Sequence, residues 1–432
     1  MNSIINYIWE KQLLPKEELS TTTGEPVYII DYGTHDKVDG HIFNNAMLRI
    51  GDKLWSGNVV LHEKCSDWEA EIRQKRDCYS NVILHVTLDN DCETLRHHGE
   101  TINQLTINCP RSLREEFLSA GQKQNCLNCG GSVSRLASIH RHSLLSRLVA
   151  ERMEEKSALI EKIHTGSNGN WEDTLFRTLC RSFGFGIQNR VFEEWASILD
   201  LRALSKHKDN EVQVYAIMFG QAGLLEKESI PYYYRDNALR SGYFNSLANE
   251  YRFLKSKFGL KNIDYRLWET GSNNTPHTRI ARLAAIYRKG IFTISNIAEC
   301  DTASQLHSIL DARPEGYWQD HNCFGGVEIA RETAIKPKQA DILIINTVIP
   351  MLYVYGKHRN DLALCSKAED FLYSMKNEEN HIVRQWRTQG MDIGCAADSQ
   401  ALIQLDRSYC RKCDCRNCNF AYHYIKERLA EC

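Results

Sequence analysis

The chain has 432 residues, 42% of them hydrophobic and 25% charged, with a formal net charge of −2. That length can bury a sizeable core in two domains or more. The near-neutral balance excludes a global field that would draw in nucleic acid, so any such binding needs a local basic patch.

In chain order, Ile4, Ile5, Ile8 and Trp9 fall at helical spacing and predict a helix to about Leu13, stopped by Pro15. The opening MNSIINYIWEK lacks a basic segment before a long apolar core and is not expected to be a signal peptide. Val27–Asp31 reads as a short strand. Asn44–Ile50 and Lys53–His62 read as two strands around a Gly51-Asp52 hairpin turn. Ser66 followed by Glu69 forms a capping-box pattern and predicts a helix from Asp67 to about Asp77. Val82, Ile83, Leu84 and Val86 predict a strand apolar enough to be central, and Ile102–Asn108 a further one. The polar stretch Ser119–Ser134 marks a boundary or an inserted loop. Beyond it the pattern turns helical. Leu145, Leu148, Val149, Met153, Leu159, Ile160 and Ile163 stripe a long helix ending near Gly166, and Trp171, Leu175, Leu179 and Phe183 a second. Further helices are predicted at Val191–Leu199, Glu211–Leu225, Tyr243–Phe258, Thr278–Arg288, Ala303–Leu310 and Asp361–Met375. The expected fold class is α+β: an N-terminal αβββαβ domain over residues 1–118, a Cys-containing loop or linker over 119–134, and a larger mainly α-helical domain over 135–432. Ile342–Tyr355, the most apolar run, is interrupted by Asn346 and Pro350. It reads as too short and too polar to span a bilayer, and Asp341–Tyr355 is ambiguous between buried helix and strand.

Several segments together resemble the bacterial domain-of-unknown-function family 2851. They are Leu54–His62 (LWSGNVVLH), Ser66-Asp67-Trp68, Tyr79–Val86 (YSNVILHV), Glu211–Leu225 with FGQAGLL, Tyr317-Trp318 with Phe324-Gly325, Ile345–Pro350 (INTVIP) and Asp398–Cys410 (DSQALIQLDRSYC). They occur in the family's order over nearly the whole chain. The resemblance carries no established activity. In that family the stretch matching Gly40–Phe43 usually reads Gly-Pro-Asp-Phe, and that matching Val59–His62 reads Val-Glu-Ile-His. Such an acid pair looks like that of restriction-endonuclease-like nucleases, whose αβββαβ order the elements above also fit. Those carboxylates hold Mg²⁺, which activates water and stabilises charge on the phosphate.

Here both acids are replaced, by Ile42 and Val60, and a frequent family Glu on the next strand matches Thr106. Asp39, His41 and His62 are the candidate remnants; Glu63 points to the other face of its strand. A simple two-residue turn at Gly51-Asp52 pairs Ile42 with Leu61. Positions 42 and 60 share a face only if the hairpin carries a bulge, for which Gly57 is the natural candidate. Where the family tends to have an Arg-rich run, this chain has Trp268–Pro276 with only Arg279 kept as a nucleic-acid contact, which weakens any phosphate-binding surface. Mg²⁺ is not expected.

The sixteen cysteines are expected in a reducing, cytoplasmic setting, where structural disulfides are rare. Cys65, Cys78, Cys92, Cys180, Cys300, Cys323, Cys365 and Cys395 read as small buried hydrophobes. Cys410, Cys413, Cys415 and Cys418 fall within nine residues, a strong signal for Zn²⁺ or an iron–sulfur cluster. By the resemblance, Cys410, Cys415 and Cys418 match family cysteines and Cys413 is an addition. Arg411, Lys412 and Arg416 are expected to offset thiolate charge. Cys126-Leu-Asn-Cys129-Gly-Gly is half of a zinc knuckle, which either completes a site with the C-terminal cysteines or stands alone, with His140 and His142 following it. Tyr232–Tyr234 with Arg235 and Arg240 reads as a packed inter-helix turn rather than a base-stacking patch. No Gly-x-x-x-x-Gly-Lys, His-Glu-x-x-His or Gly-x-Ser-x-Gly motif is present. Three readings follow. The first is a degenerate nuclease-like binding or regulatory protein. The second is a metal-dependent nuclease with an unorthodox site, and the third a structural partner protein without nucleic acid.

Overall fold

The computed structural model describes residues 3–15, 19–36, 39–72, 79–95, 99–121, 126–186, 188–268, 275–328 and 332–431. Two compact units result. The first joins Met1–Leu144 with Gln385–Asp392 and Ile403–Cys432; the second joins Leu145–Arg384 with Ile393–Leu402. The linear division expected from the sequence is corrected here: the C-terminal segment returns to the first unit.

The first unit opens with α1 (Ile4–Glu10), which buries Ile4, Ile5, Ile8 and Trp9. It ends three residues earlier than its apolar spacing suggests, and Gln12 follows at φ 53°. The sheet comprises β1 (Val27–Asp31), β2 (Thr34–His35), β3 (Ile42–Ile50), β4 (Lys53–Lys64), then helix α2 (Asp67–Ile72), then β5 (Val82–Asp89) and β6 (Asn103–Thr106). Its order is β1-β3-β4-β5-β6, with β2 also on β3. Strands β1, β3 and β4 run antiparallel, whereas β4, β5 and β6 are parallel. A parallel β4–β5 pair needs a crossover, and α2 lies in it. Strand β5 is buried at every position but its last, as a central strand should be. The predicted helix beyond position 72, and Cys78, lie outside the described residues.

The hairpin settles the register. Ile50 faces Lys53 across Gly51-Asp52, and Gly51 takes φ 57°, the left-handed conformation of primed hairpin turns. A bulge does bring Ile42 opposite Val60, but it sits on β3. Phe43 faces Val59 and Ala46 faces Gly57, so Asn44 and Asn45 share the space opposite Asn58. Asn45 takes φ 60°, tolerable for Asn. Gly57 has another role: a Cβ there would lie 2.6 Å from the Asn81 carbonyl oxygen and 2.6 Å from Ile83 Cγ2. Its bareness lets the segment entering β5 approach.

Three helices follow: α3 (Arg111–Gly121), α4 (Gly130–Arg135) and α5 (Ser138–Gly166), of which the part from Leu145 on belongs to the second unit. The described parts of the expected loop or linker, residues 119–121 and 126–134, belong to the first unit. The C-terminal helix Asn419–Ala430 completes that unit, burying Phe420, Ala421, Tyr424 and Ile425. Arg135 pairs with Glu427 at 2.9 Å, and the Tyr424 hydroxyl donates to Glu116 at 2.6 Å.

The second unit is helical apart from a small hairpin, among the described residues. Its core includes Leu175, Leu179, Tyr215, Phe219, Leu283, Ile345 and Leu352. The ambiguous stretch Asp341–Tyr355 is helix, within a continuous run Pro337–Arg359 that carries a π turn at Ile344–Val348. Pro350 lacks the N–H that the regular ladder needs, and the turn widens just before it. This run is long and apolar enough to cross a membrane, and 67% of its most apolar window is buried inside the protein. Tyr232 and Tyr233 are 86% and 73% exposed, so the expectation of a packed turn there is overturned.

Candidate functional site

Positions 42 and 60 lie side by side on the sheet. Ile42 is 2% exposed and Val60 fully buried, in one apolar cluster with Trp68, Tyr79, Val82 and Ile102. Trp68 on α2 lids this cluster, its indole N–H donating to the Leu95 carbonyl at 2.9 Å. An apolar environment of this kind cannot host a hydrated divalent cation. Thr106, at the third position, is exposed on β6.

Polar groups gather one pleat further along. His62 follows Val60 by two residues, on the same face, about 7 Å along β4. His41 stands immediately before β3. Glu71, not singled out in the sequence, comes from α2. His41 Nε2 is 2.9 Å and His62 Nε2 3.6 Å from Glu71 Oε2, and the three ligand atoms all lie within 4.8 Å of one another. The Tyr79 hydroxyl also donates to Glu71. Asp39 is not part of this group. Behind it, His62 Nδ1 meets His85 Nε2 at 2.9 Å, and His85 Nδ1 meets Thr94 Oγ1 at 2.7 Å. Gln104 donates to Thr94 Oγ1 and, at 3.0 Å, to Cys65 Sγ.

Burial lowers the His62 pKa, against the pull of Glu71, and burial with the neighbouring His62 pushes His85 down to about 3. Burial alone would raise the Glu71 carboxyl. The Tyr79 hydroxyl and the facing His41 and His62 outweigh it and hold Glu71 below its ordinary range. The signal for Glu71 was present in the sequence as a helix residue four beyond Asp67. Its direction depends on how α2 packs, which no local pattern states.

The cysteines form a separate centre in the same unit. Cys126 and Cys129 come together with the C-terminal group: Cys126 Sγ is 3.6 Å from Cys413 Sγ. Sulfurs bound tetrahedrally to zinc at about 2.3 Å would be about 3.8 Å apart. Cys413 reaches this position from a left-handed backbone, φ 52°, an uncommon conformation for a Cβ-bearing residue. Burial, then contact with Cys413, raises the Cys126 thiol. Burial, then the neighbouring Cys418 and Cys415, raises Cys129 to about 12. A bound cation would reverse this by favouring thiolates. Among the described residues, three-ligand convergence within 4.8 Å occurs at His41, His62 and Glu71 and at Cys65, Asp91 and Cys92; the six-cysteine group is looser.

Gly130 serves close packing, since a Cβ there would overlap the Gln389 side chain. Arg411 engages Asp406 at 2.6 Å. His140 and His142 are exposed on the first turns of α5. Of the singly placed cysteines, Cys65, Cys180, Cys300 and Cys323 are buried, whereas Cys92, Cys365 and Cys395 are half-buried. Cys92 Sγ lies 2.9 Å from Cys65 Sγ.

Arg279 is corrected as a nucleic-acid contact. It is 2% exposed, and its Nη1 donates to the Phe183 carbonyl at 3.1 Å and to Gln188 Oε1 at 3.0 Å. Its guanidinium also lies over the Phe185 ring, 5.4 Å from the centroid. The Trp268–Pro276 segment lies outside the described residues over 269–274.

Comparison with known proteins adds one match. The model of a family described as "Protein of unknown function (DUF2851)" matches residues 2–381. The chain belongs to the DUF2851 family. The match covers the sheet, the His–Glu group, Cys126 and Cys129. The DUF2851 match ends before Cys410–Cys418, so the C-terminal cysteines and the Asp398–Cys410 landmark lie beyond it. No curated protein and no solved structure matches the chain.

Proposed function

We propose that this DUF2851 member is a non-hydrolytic scaffold. In this reading a nuclease-shaped sheet has lost its Mg²⁺-binding acid pair, is stapled by a cysteine-bound Zn²⁺ or iron–sulfur cluster, and serves as a binding or regulatory partner. The observation that carries it is the burial of Ile42 against Val60 beneath Trp68. Phosphodiester hydrolysis assisted by Mg²⁺ needs carboxylates there. The strand order, with an antiparallel hairpin followed through a helix by a parallel strand, supports the nuclease-like ancestry. Nucleic acid as a partner has less support, since Arg279 is buried. A cytoplasmic setting accords with the abundance of free thiols.

A second reading, an unorthodox metal-dependent nuclease, draws on the convergence of His41, His62 and Glu71. One experiment separates the two. The purified full chain is incubated with Mg²⁺ or Mn²⁺ and single- and double-stranded DNA and RNA. The scaffold reading expects no cleavage above a no-protein control. Cleavage that vanishes in His62→Ala would overturn it.

A further inference from the structure

We propose that His41, His62 and Glu71 bind a divalent transition ion of the zinc class, at a centre distinct from the cysteine cluster. This inference rests on neither reading of hydrolytic activity.

The donor geometry comes first. Zinc held tetrahedrally by nitrogen and oxygen at about 2.1 Å places neighbouring ligand atoms about 3.4 Å apart. The two distances to Glu71 Oε2, 2.9 and 3.6 Å, straddle that spacing. Two imidazoles and one carboxylate suit Zn²⁺, Co²⁺ or Fe²⁺, whereas Mg²⁺ prefers oxygen alone.

A second, independent observation points to a ligand. The His62 side chain is 6% exposed, and its Nε2 lies 3.6 Å from Glu71 Oε2, just beyond hydrogen-bond distance, with no hydrogen-bond partner among the described residues. Leaving a buried ring nitrogen short of a full hydrogen bond is unfavourable. An ion between His41, His62 and Glu71 would satisfy it.

The other ring nitrogen is already held as a metal ligand requires. When His62 Nδ1–H donates to His85 Nε2, His85 Nδ1–H donates to Thr94 Oγ1. The Thr94 hydroxyl then donates to Cys65 Sγ at 3.3 Å, while Gln104 donates to Thr94. In this arrangement the lone pair of His62 Nε2 points at the centre, and each hydrogen in the relay has an acceptor. The Tyr79 hydroxyl donates to the same Glu71 Oε2 and so fixes that oxygen in place. His41 and Glu71 are 28% and 29% exposed, so the ion enters from solvent, with His62 at the back and a position left for water.

The test is a Co²⁺ titration of the full chain in a Cys415→Ser background, followed by absorption. Expected is a single equivalent with a nitrogen/oxygen-type spectrum, free of sulfur-to-cobalt charge transfer. His62→Gln, His41→Gln and Glu71→Gln should each weaken it about tenfold or more, and His85→Gln about 10–100-fold through lost orientation. Unchanged affinity and spectrum in both His41→Gln and Glu71→Gln would overturn the proposal, as would cobalt bound only through thiolates. His41 stands at the surface, so His41→Gln keeps the test decisive even if His62→Gln fails to fold.

Discussion

Within one helix, Pro276–Lys289, the second unit buries two ionisable side chains, His277 and Arg279. His277 packs among Phe219, Trp318 and Phe324, and neither ring nitrogen has a hydrogen-bond partner among the described residues. Burial lowers its pKa from 6.5 to about 3. The native ring is therefore neutral where the unfolded one takes a proton. Its contribution is complete above about pH 6.5 and is lost as pH falls towards the folded value. The urea midpoint of the wild type should decline below pH 6.5, and that of His277→Leu should decline less; equal slopes would contradict this. Residues of this kind are poorly legible in sequence, because charge suggests surface. Arg279 read as a phosphate contact because the resemblance places it with the family's Arg-rich run, and burial against carbonyls and rings gives it a structural task. His62 was legible, since its period-two relation to Val60 fixes its face. Glu71 was not, because reaching His41 depends on the packing of α2.

At the scale of elements, alternation and turn chemistry gave the hairpin, the crossover helix and the central strand. They also showed that positions 42 and 60 could face each other only through a bulge. Which strand carried it was not legible: Asn44-Asn45 and Gly57 both break the pattern, and periodicity does not say which side holds the extra residue. The close approach of Asn81 to Gly57 is a tertiary fact. The consequence is a closed apolar cluster around positions 42 and 60. Val60→Glu should therefore destabilise the protein by about 3 kcal/mol or more in urea unfolding, because the carboxyl finds no partner there. An unchanged stability, with Mg²⁺-dependent cleavage gained in Ile42→Asp/Val60→Glu, would instead reveal a latent site.

For the whole molecule, the decisive feature is the return of the C-terminus. Phe420 and Ile425 bury within the same unit as the sheet, and no local pattern says which core an apolar helix face will join. The cysteines gave the only hint, and the alternative of an isolated Cys126–Cys129 pair was equally open from spacing. Their assembly spans 284 residues from Cys126 to Cys410. In the chain-entropy model, cross-linking so long a loop restricts the unfolded state by about 5–6 kcal/mol. A metal there would staple the segments that bracket the helical unit. The most direct measurement is the metal content of anaerobically purified protein, wild type against Cys415→Ser. The expected result is that Cys415→Ser carries one equivalent less zinc or iron than the wild type, any ion at His41, His62 and Glu71 being retained, and has a lower thermal midpoint. A Cys415→Ser protein with the wild-type metal content and stability would contradict the staple.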